Sequence, residues 1–199
     1  MSGYGNHAGK RSEVRIIGGR WRGRKLAFTP SDGLRPTGDR IRETLFNWLT
    51  PHINGAHCAD LFAGSGALGL EALSRGAGHC DFVDSAHSVV ARVREHLTML
   101  AALDRSCCYP ASAQQFLAQA SAPYDIVFID PPFKLQLAGP VCTALAQRGL
   151  LRENALVYVE TPASEPLLEP PPDWMLHREK RVGGVSFRLF KVCGARDSP

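Results

Sequence analysis

No stretch of this 199-residue chain approaches the ~18 consecutive apolar residues of a membrane span, although 44% of its residues are hydrophobic, enough for a sizeable core. The opening residues, Met1 to Arg11, contain no apolar core and do not read as a signal peptide. The six cysteines (Cys58, Cys80, Cys107, Cys108, Cys142, Cys193) form no C-x-x-C pair and no metal-ligand spacing. Cys58, Cys80 and Cys142 sit among apolar neighbours and read as small core residues, so a reduced, cytoplasmic protein is the simplest expectation. The adjacent pair Cys107-Cys108 is assigned no role. No internal repeat is present, and the length fits one domain with a small extension. Charge is scarce in bulk but uneven. Residues 1–42 hold ten Lys/Arg against three acids, a balance of +7, whereas the remainder holds 13 against 16, a balance of −3. A basic arm on a mildly acidic body points to a polyanionic partner at one end.

The most informative stretch is Asp60-Leu-Phe-Ala-Gly-Ser-Gly-Ala-Leu-Gly-Leu-Glu71. The run before it, from His57, is short and apolar without a helical stripe, as in a buried parallel strand. Gly64, Gly66 and Gly69 fit G-x-G-x-x-G, which permits a tight turn and close approach of backbone to a ligand. Leu68, Leu70 and Leu73 then give a helix with an apolar face, so a helix N-terminus lies against whatever sits over the turn. An acid is expected about 20 residues on to accept hydrogen bonds from a ribose, and Asp84 stands there. These features predict a nucleoside site. A dinucleotide would rest its pyrophosphate on the helix, whereas S-adenosylmethionine would bring its amino-acid end to the turn. The turn alone does not separate the two.

Residues 1–13 read as a disordered tail and 194–199 as a loose one. Strands are expected at 14–17 and 24–28 around a glycine- and arginine-rich tip. There Trp21, between Arg20 and Arg22, offers a stacking face beside phosphate-binding charge; the alternative is a tryptophan packed back on the body. A loop over 33–39 leads to a helix with Ile41, Leu45, Trp48 and Leu49 on one face, ending before Pro51. Arg35, Arg40 and Arg42 lie near its start, where the helix dipole disfavours cations, so RNA phosphate or a carboxylate should answer them. From residue 57 strands are expected at 57–63, 79–84, 106–110, 124–130, 154–160, 174–181 and 185–192, with helices at 66–76, 87–103, 113–120 and 137–148. The alternation predicts an α/β, Rossmann-like, doubly wound and mostly parallel sheet. A hairpin across Gly183-Gly184 ends it, which is unusual for a dinucleotide dehydrogenase.

The second constellation is Tyr124-Asp-Ile-Val-Phe-Ile-Asp130 followed by Pro131-Pro132-Phe133. A residue before proline is held extended, and both prolines have fixed φ and lack an N–H. The corner therefore presents acceptors without donors, the Asp130 carboxylate and the Pro131 carbonyl, beside an aromatic face. An exocyclic amino group needs that set. Its lone pair is delocalised into the base, and two acceptors can orient it and favour charge developing on nitrogen while the ring stacks on Phe133. The reaction needs placement more than a strong base, and it needs no metal.

Val127-Phe-Ile-Asp-Pro-Pro-Phe133 matches the amino-methyltransferase motif, and Asp60 to Gly66 resembles motif I of the class I S-adenosylmethionine-dependent methyltransferases. Arg15-Ile-Ile-Gly-Gly19, Arg35-Pro-Thr37 and Asp39 to Leu49 resemble, more specifically, the RsmD family of bacterial 16S rRNA guanine-N2 methyltransferases, over residues 14–192. The resemblance implies a seven-stranded sheet whose last strand is antiparallel. It implies a basic RNA-binding extension over 14–52 and a methyltransferase domain over 53–193. It further implies a cytoplasmic, monomeric enzyme that methylates N2 of one guanine, guanine 966 in the family. The substrate would be a partly assembled small ribosomal subunit with its ribosomal proteins. Asp60, Phe62, Ala63, Gly64 and Gly66 would surround the methionine end of the cofactor. Asp84 and Ser85 would hold the ribose, Ser112 and Ala113 would lie along the adenine, and Asp130 would face both cofactor and base. Arg15, Arg20, Trp21, Arg22, Arg24, Lys25, Arg35, Arg40 and Arg42 would grip RNA. Adenine-N6 methylation is the alternative within the same chemistry. A nicotinamide oxidoreductase or a non-catalytic RNA-binding module would leave the Asp-Pro-Pro-Phe corner unexplained.

Overall fold

Parallel strands are covered on both faces and so read as unbroken apolar runs; such runs form the centre of this molecule. The computed structural model describes residues 12–28, 38–165 and 169–193. Residues 1–11, the loop expected from residue 33 as far as residue 37, with Arg35, and the tail 194–199 lie outside them. The chain opens with β1 (Ser12–Arg15) and β2 (Lys25–Phe28), followed by α1 (Asp39–Leu49). Strands and helices then alternate: β3 (His57–Asp60), α2 (Ala67–Ser74), β4 (His79–Asp84), α3 (His87–Met99), β5 (Ser106–Pro110), α4 (Ala113–Gln119), β6 (Tyr124–Ile129), α5 (Ala138–Gln147) and β7 (Leu151–Pro162). The antiparallel β8 (Trp174–Val182) and β9 (Val185–Val192) close the chain.

The main sheet has seven strands in the order β5-β4-β3-β6-β7-β9-β8. β5, β4, β3, β6 and β7 pair in parallel, and β9 runs antiparallel to both of its neighbours, β7 and β8. This is the Rossmann-like, doubly wound sheet the alternation predicts, with its last strand antiparallel. The order reverses between β3 and β6. Ligands of open α/β sheets bind at such a switch point, outside the carboxyl ends of the strands.

One face of the sheet packs α1, α2 and α3 through Leu45, Phe46, Leu49, Leu68, Leu70, Val93 and Leu97. The other packs α4 and α5 through Phe116, Leu117, Val141 and Leu145. On α1 the buried stripe includes Phe46, which lies against Phe128, whereas Trp48 is half-buried against Phe187. The helix expected over 87–103 stops at Met99, because Ala101 takes a positive φ of 50°; a 3-10 turn, Leu103–Arg105, follows. α2 is buried all round, as a helix becomes when structure covers its outer side as well.

The covering structure is the N-terminal hairpin. Its tip folds into a 3-10 turn, Gly19–Trp21, that docks on the carboxyl end of α2. The Glu71 carboxylate, fully buried, accepts the backbone N–H of Ile17 and of Gly18, each at 2.8 Å, and pairs with Arg75 at 2.7 Å. Ser74 Oγ accepts the Trp21 N–H at 3.0 Å and donates to Gly18 O at 2.6 Å. A Cβ on Gly19 would stand 1.9 Å from the Ser74 carbonyl oxygen, so this approach requires glycine.

Candidate active site

The carboxyl ends of β3, β4 and β6 each finish in an aspartate: Asp60, Asp84 and, one residue past its strand, Asp130. Asp60 is 2% exposed, and its Oδ2 accepts the Gly69 N–H at 3.0 Å. Burial pushes its carboxyl up to about 7; the charges of Asp130 and Asp84 push the same way, while the N–H groups of Gly69 and Phe62 pull it back. Asp84 lies beside the turn. Its Oδ2 accepts the Gly64 N–H at 3.0 Å, and its Oδ1 accepts the Ala86 N–H at 2.9 Å.

Between these carboxylates the turn is made by residues with left-handed backbone, Gly64 (φ 51°) and Gly66 (φ 77°), and closed by a Gly66 N–H bond to Ala63 O at 2.6 Å. A Cβ on Gly66 would meet Leu70 and Val93 at 3.0 and 3.3 Å. Gly69, one turn into α2, lets the helix rest on β4, since a Cβ there would reach within 2.3 Å of the Phe82 ring. Ala63 is buried, Phe62 is half-buried and Ser85 is exposed. The crevice thus offers carboxylates and backbone, which suits a ligand bearing cationic groups and hydroxyls.

Ser112 precedes α4 and caps it. Its Oγ accepts the Gln115 N–H at 3.2 Å and donates to Gln115 Oε1 at 3.0 Å, and that oxygen also accepts the Ser112 N–H at 3.1 Å. This reciprocal cap engages the hydroxyl. Ala113 begins the helix and is buried.

Asp130 is half-buried, Pro131 buried and Pro132 exposed; a half-buried Phe133 starts a 3-10 turn, Phe133–Leu135. β3 and β6 are neighbours in register Asp60↔Phe128, and the Leu61 N–H donates to Phe128 O at 3.1 Å. The glycine turn and the Asp-Pro-Pro-Phe corner therefore stand side by side.

Two of the residues expected to grip RNA do not face solvent. Trp21 is 6% exposed, with Arg105 5.8 Å from its ring centroid. It packs on the body because its backbone is bound by Ser74, so it offers no stacking face. Arg42 is 1% exposed: it donates to Arg15 O at 2.8 Å and Asp39 Oδ1 at 2.5 Å, and lies 3.7 Å from Glu71. Carboxylates answer this arginine. Arg20, Arg22, Arg24, Lys25 and Arg40 are exposed. Arg15 pairs with Asp39 and Lys25 with Glu13 at the surface, at 2.9 and 3.2 Å.

Glu160 belongs to the same rim, although neither sequence motif contains it. It lies one residue past the Ile129↔Val159 pair of β6 and β7, next to Asp130, and is buried with Oε1 accepting from Tyr158 OH at 2.6 Å. The sequence carries its signal: an acid closing the apolar run 155–159, as Asp60 and Asp130 close theirs.

The family model described as Conserved hypothetical protein 95 matches residues 14–191. Ribosomal RNA small subunit methyltransferase D of Escherichia coli K12 is 47% identical over 186 residues, covering 94% of this chain and 93% of the relative. The chain belongs to the RsmD family. The solved structure of yhhF from Escherichia coli, 44% identical, superposes with a TM-score of 0.86 over 92% of this chain and 99% of that one. A Salinibacter ruber RNA methyltransferase solved with S-adenosyl-L-homocysteine shares the fold, with a TM-score of 0.62 at 11% identity over 83% of this chain and 97% of that one. The match to the RsmD family spans both the N-terminal hairpin and the seven-stranded sheet.

Proposed function

We propose that this protein transfers a methyl group from S-adenosylmethionine to N2 of one guanine in 16S rRNA, guanine 966 in the family, within a partly assembled small ribosomal subunit and its ribosomal proteins. The observation that carries the reading is the adjacency of the glycine turn and the Asp130 corner at the sheet's switch point. RsmD relatives named as small-subunit rRNA methyltransferases support rRNA as the substrate. The buried Asp60 carboxylate and the positive-φ turn support a sulfonium amino acid over a pyrophosphate, because an anion would meet three carboxylates there.

In this reading Asp60, Phe62, Ala63, Gly64 and Gly66 hold the methionine end, Asp84 and Ser85 the ribose, and the backbone at Ser112 and Ala113 the adenine. Residues 14–52 form the RNA-binding extension and 53–193 the catalytic domain of a monomeric cytoplasmic enzyme. Bound S-adenosylmethionine supplies an electrophilic methyl on sulfur. The target guanine leaves its stack and lies against Phe133. The Asp130 carboxylate and the Pro131 carbonyl accept the two N2 hydrogens and hold the nitrogen in line with the methyl. Transfer would break the sulfur–methyl bond as the nitrogen–carbon bond forms, leaving S-adenosylhomocysteine, and one N2 proton would pass toward the Asp130 carboxylate.

The test is nucleoside mass spectrometry of rRNA from a strain lacking the protein, with rescue by wild type and by Asp130→Ala. Loss of one N2-methylguanine, restored by wild type alone while Asp130→Ala still binds S-adenosylmethionine in calorimetry, is the expected result. Loss of N6-methyladenine instead would favour the adenine reading, whose amino group the same corner fits. Full rescue by Asp130→Ala would overturn the mechanism.

A further inference from the structure

At the opposite rim of the sheet from the crevice, the amino ends of β3 and β4 bring together side chains that the methyl-transfer reading leaves unused. His57 pairs with His79 in the parallel register, and Asp81, two residues beyond His79, points to the same face. His79 Nε2 lies 3.0 Å from Asp81 Oδ1, and His57 Nε2 lies 3.9 Å from Asp81 Oδ2. One ligand atom from each of the three falls within 4.8 Å of the others. We propose that His57, His79 and Asp81 bind one divalent transition-metal ion, zinc by the character of the donors.

Two imidazole nitrogens and one carboxylate oxygen are a recurring three-ligand set for zinc, with water in the fourth position. Tetrahedral bonds of about 2.0–2.1 Å put neighbouring donors roughly 3.4 Å apart, so the three ligand atoms, already within 4.8 Å of one another, need only a small further approach. Closing the site needs rotation of the imidazole rings, whose side chains are 24% and 31% exposed and so have room to turn.

The carboxylate is already oriented. Tyr124 OH donates to Asp81 Oδ2 at 2.7 Å, and the Tyr124 ring packs against His57 at 5.0 Å. Partners of this kind, outside the ligands themselves, fix ligand orientation in metal sites. The nearby cation, Arg152, is held by Asp125 at 2.8 Å, and Asp125 also accepts the His57 backbone N–H at 2.8 Å. The remaining position opens to water. The site joins two central strands, so the ion would brace the sheet and take no part in the chemistry at the other rim.

The experiment titrates the full-length protein, stripped with chelator, with Co²⁺ and then Zn²⁺. One Co²⁺ per chain with the visible absorption of a tetrahedral centre, displaced by one Zn²⁺, is expected. Zinc should raise the melting temperature by an amount that grows with its concentration. His79→Asn and His57→Asn should each weaken binding at least tenfold, while rRNA methylation stays at the wild-type level. X-ray absorption of the zinc-loaded wild-type protein should give nitrogen and oxygen neighbours at about 2.0 Å. The proposal fails if no stoichiometric binding occurs, if binding survives both substitutions, or if sulfur appears among the neighbours.

Discussion

Asp60 carries the sharpest electrostatic consequence. Its folded carboxyl is raised from 3.8 to about 7, first by burial and then by the charges of Asp130 and Asp84. Stability from this group is complete below about pH 4 and is lost as pH climbs through about 7, because the folded state holds the proton longer than the unfolded chain does. In the proposed binding mode, the cationic amino-acid end of the methyl donor at the turn would reverse the preference by favouring the carboxylate. Affinity for S-adenosylmethionine should therefore rise between pH 6 and 8 with release of a proton on binding. Calorimetry in two buffers of different ionisation enthalpy measures that proton, and Asp60→Asn should abolish its release.

The aspartates are legible in the sequence because each closes an apolar run, and the end of a parallel strand is where a buried sheet meets its ligand. Trp21 and Arg42 mislead for the opposite reason. Both lie in a locally basic stretch, and the groups that bury them, Ser74 and Glu71, come from a helix tens of residues further along. Local composition reports charge, whereas exposure depends on those distant partners.

Among the elements, α2 and the docked hairpin depend on each other. Glu71 holds two backbone N–H groups of the hairpin and faces Arg75 and Arg42. Glu71→Gln should cost about 3–5 kcal/mol, as breaking one side of a buried ion pair does. Urea denaturation would measure the loss, with a red shift of Trp21 fluorescence at low urea if the hairpin lifts first. Trp21→Leu belongs to the same class: it should lower stability by about 3 kcal/mol and leave the affinity of the folded protein for RNA unchanged in a binding titration. The glycines of Arg15-Ile-Ile-Gly-Gly19 are visible in the sequence but their purpose is not. Gly19 is there so that the hairpin can touch the Ser74 carbonyl, an approach that no local pattern encodes.

For the molecule as a whole, the strand order is nearly readable, since alternation and handedness leave few topologies. The way the basic arm sits on the sheet is not, because it rests on contacts between residues about 55 apart in the chain. Exposed charge on that arm and at the start of α1 includes Arg20, Arg22, Arg24, Lys25 and Arg40. Replacing Arg20, Arg22 and Arg24 with glutamine should weaken binding to 16S rRNA at low salt. It should also flatten the log–log salt dependence by about 0.7 for each phosphate no longer neutralised. Anisotropy titrations at a series of salt concentrations would measure both effects, and an unchanged slope would remove the arm from the interface.

The short rod of α2 has one more consequence. Its amino end begins at the glycine turn and its carboxyl end clasps the arm, eight residues or roughly 12 Å away. A stiff, wholly enclosed helix does not stretch, so the arm and the methyl-donor bed are held at a constant offset. On the proposed reading, in which RNA phosphates rest on the arm, the nucleotide that reaches the corner would be the one at the matching distance along the folded RNA. The base would then be chosen as a gauge chooses, by reach.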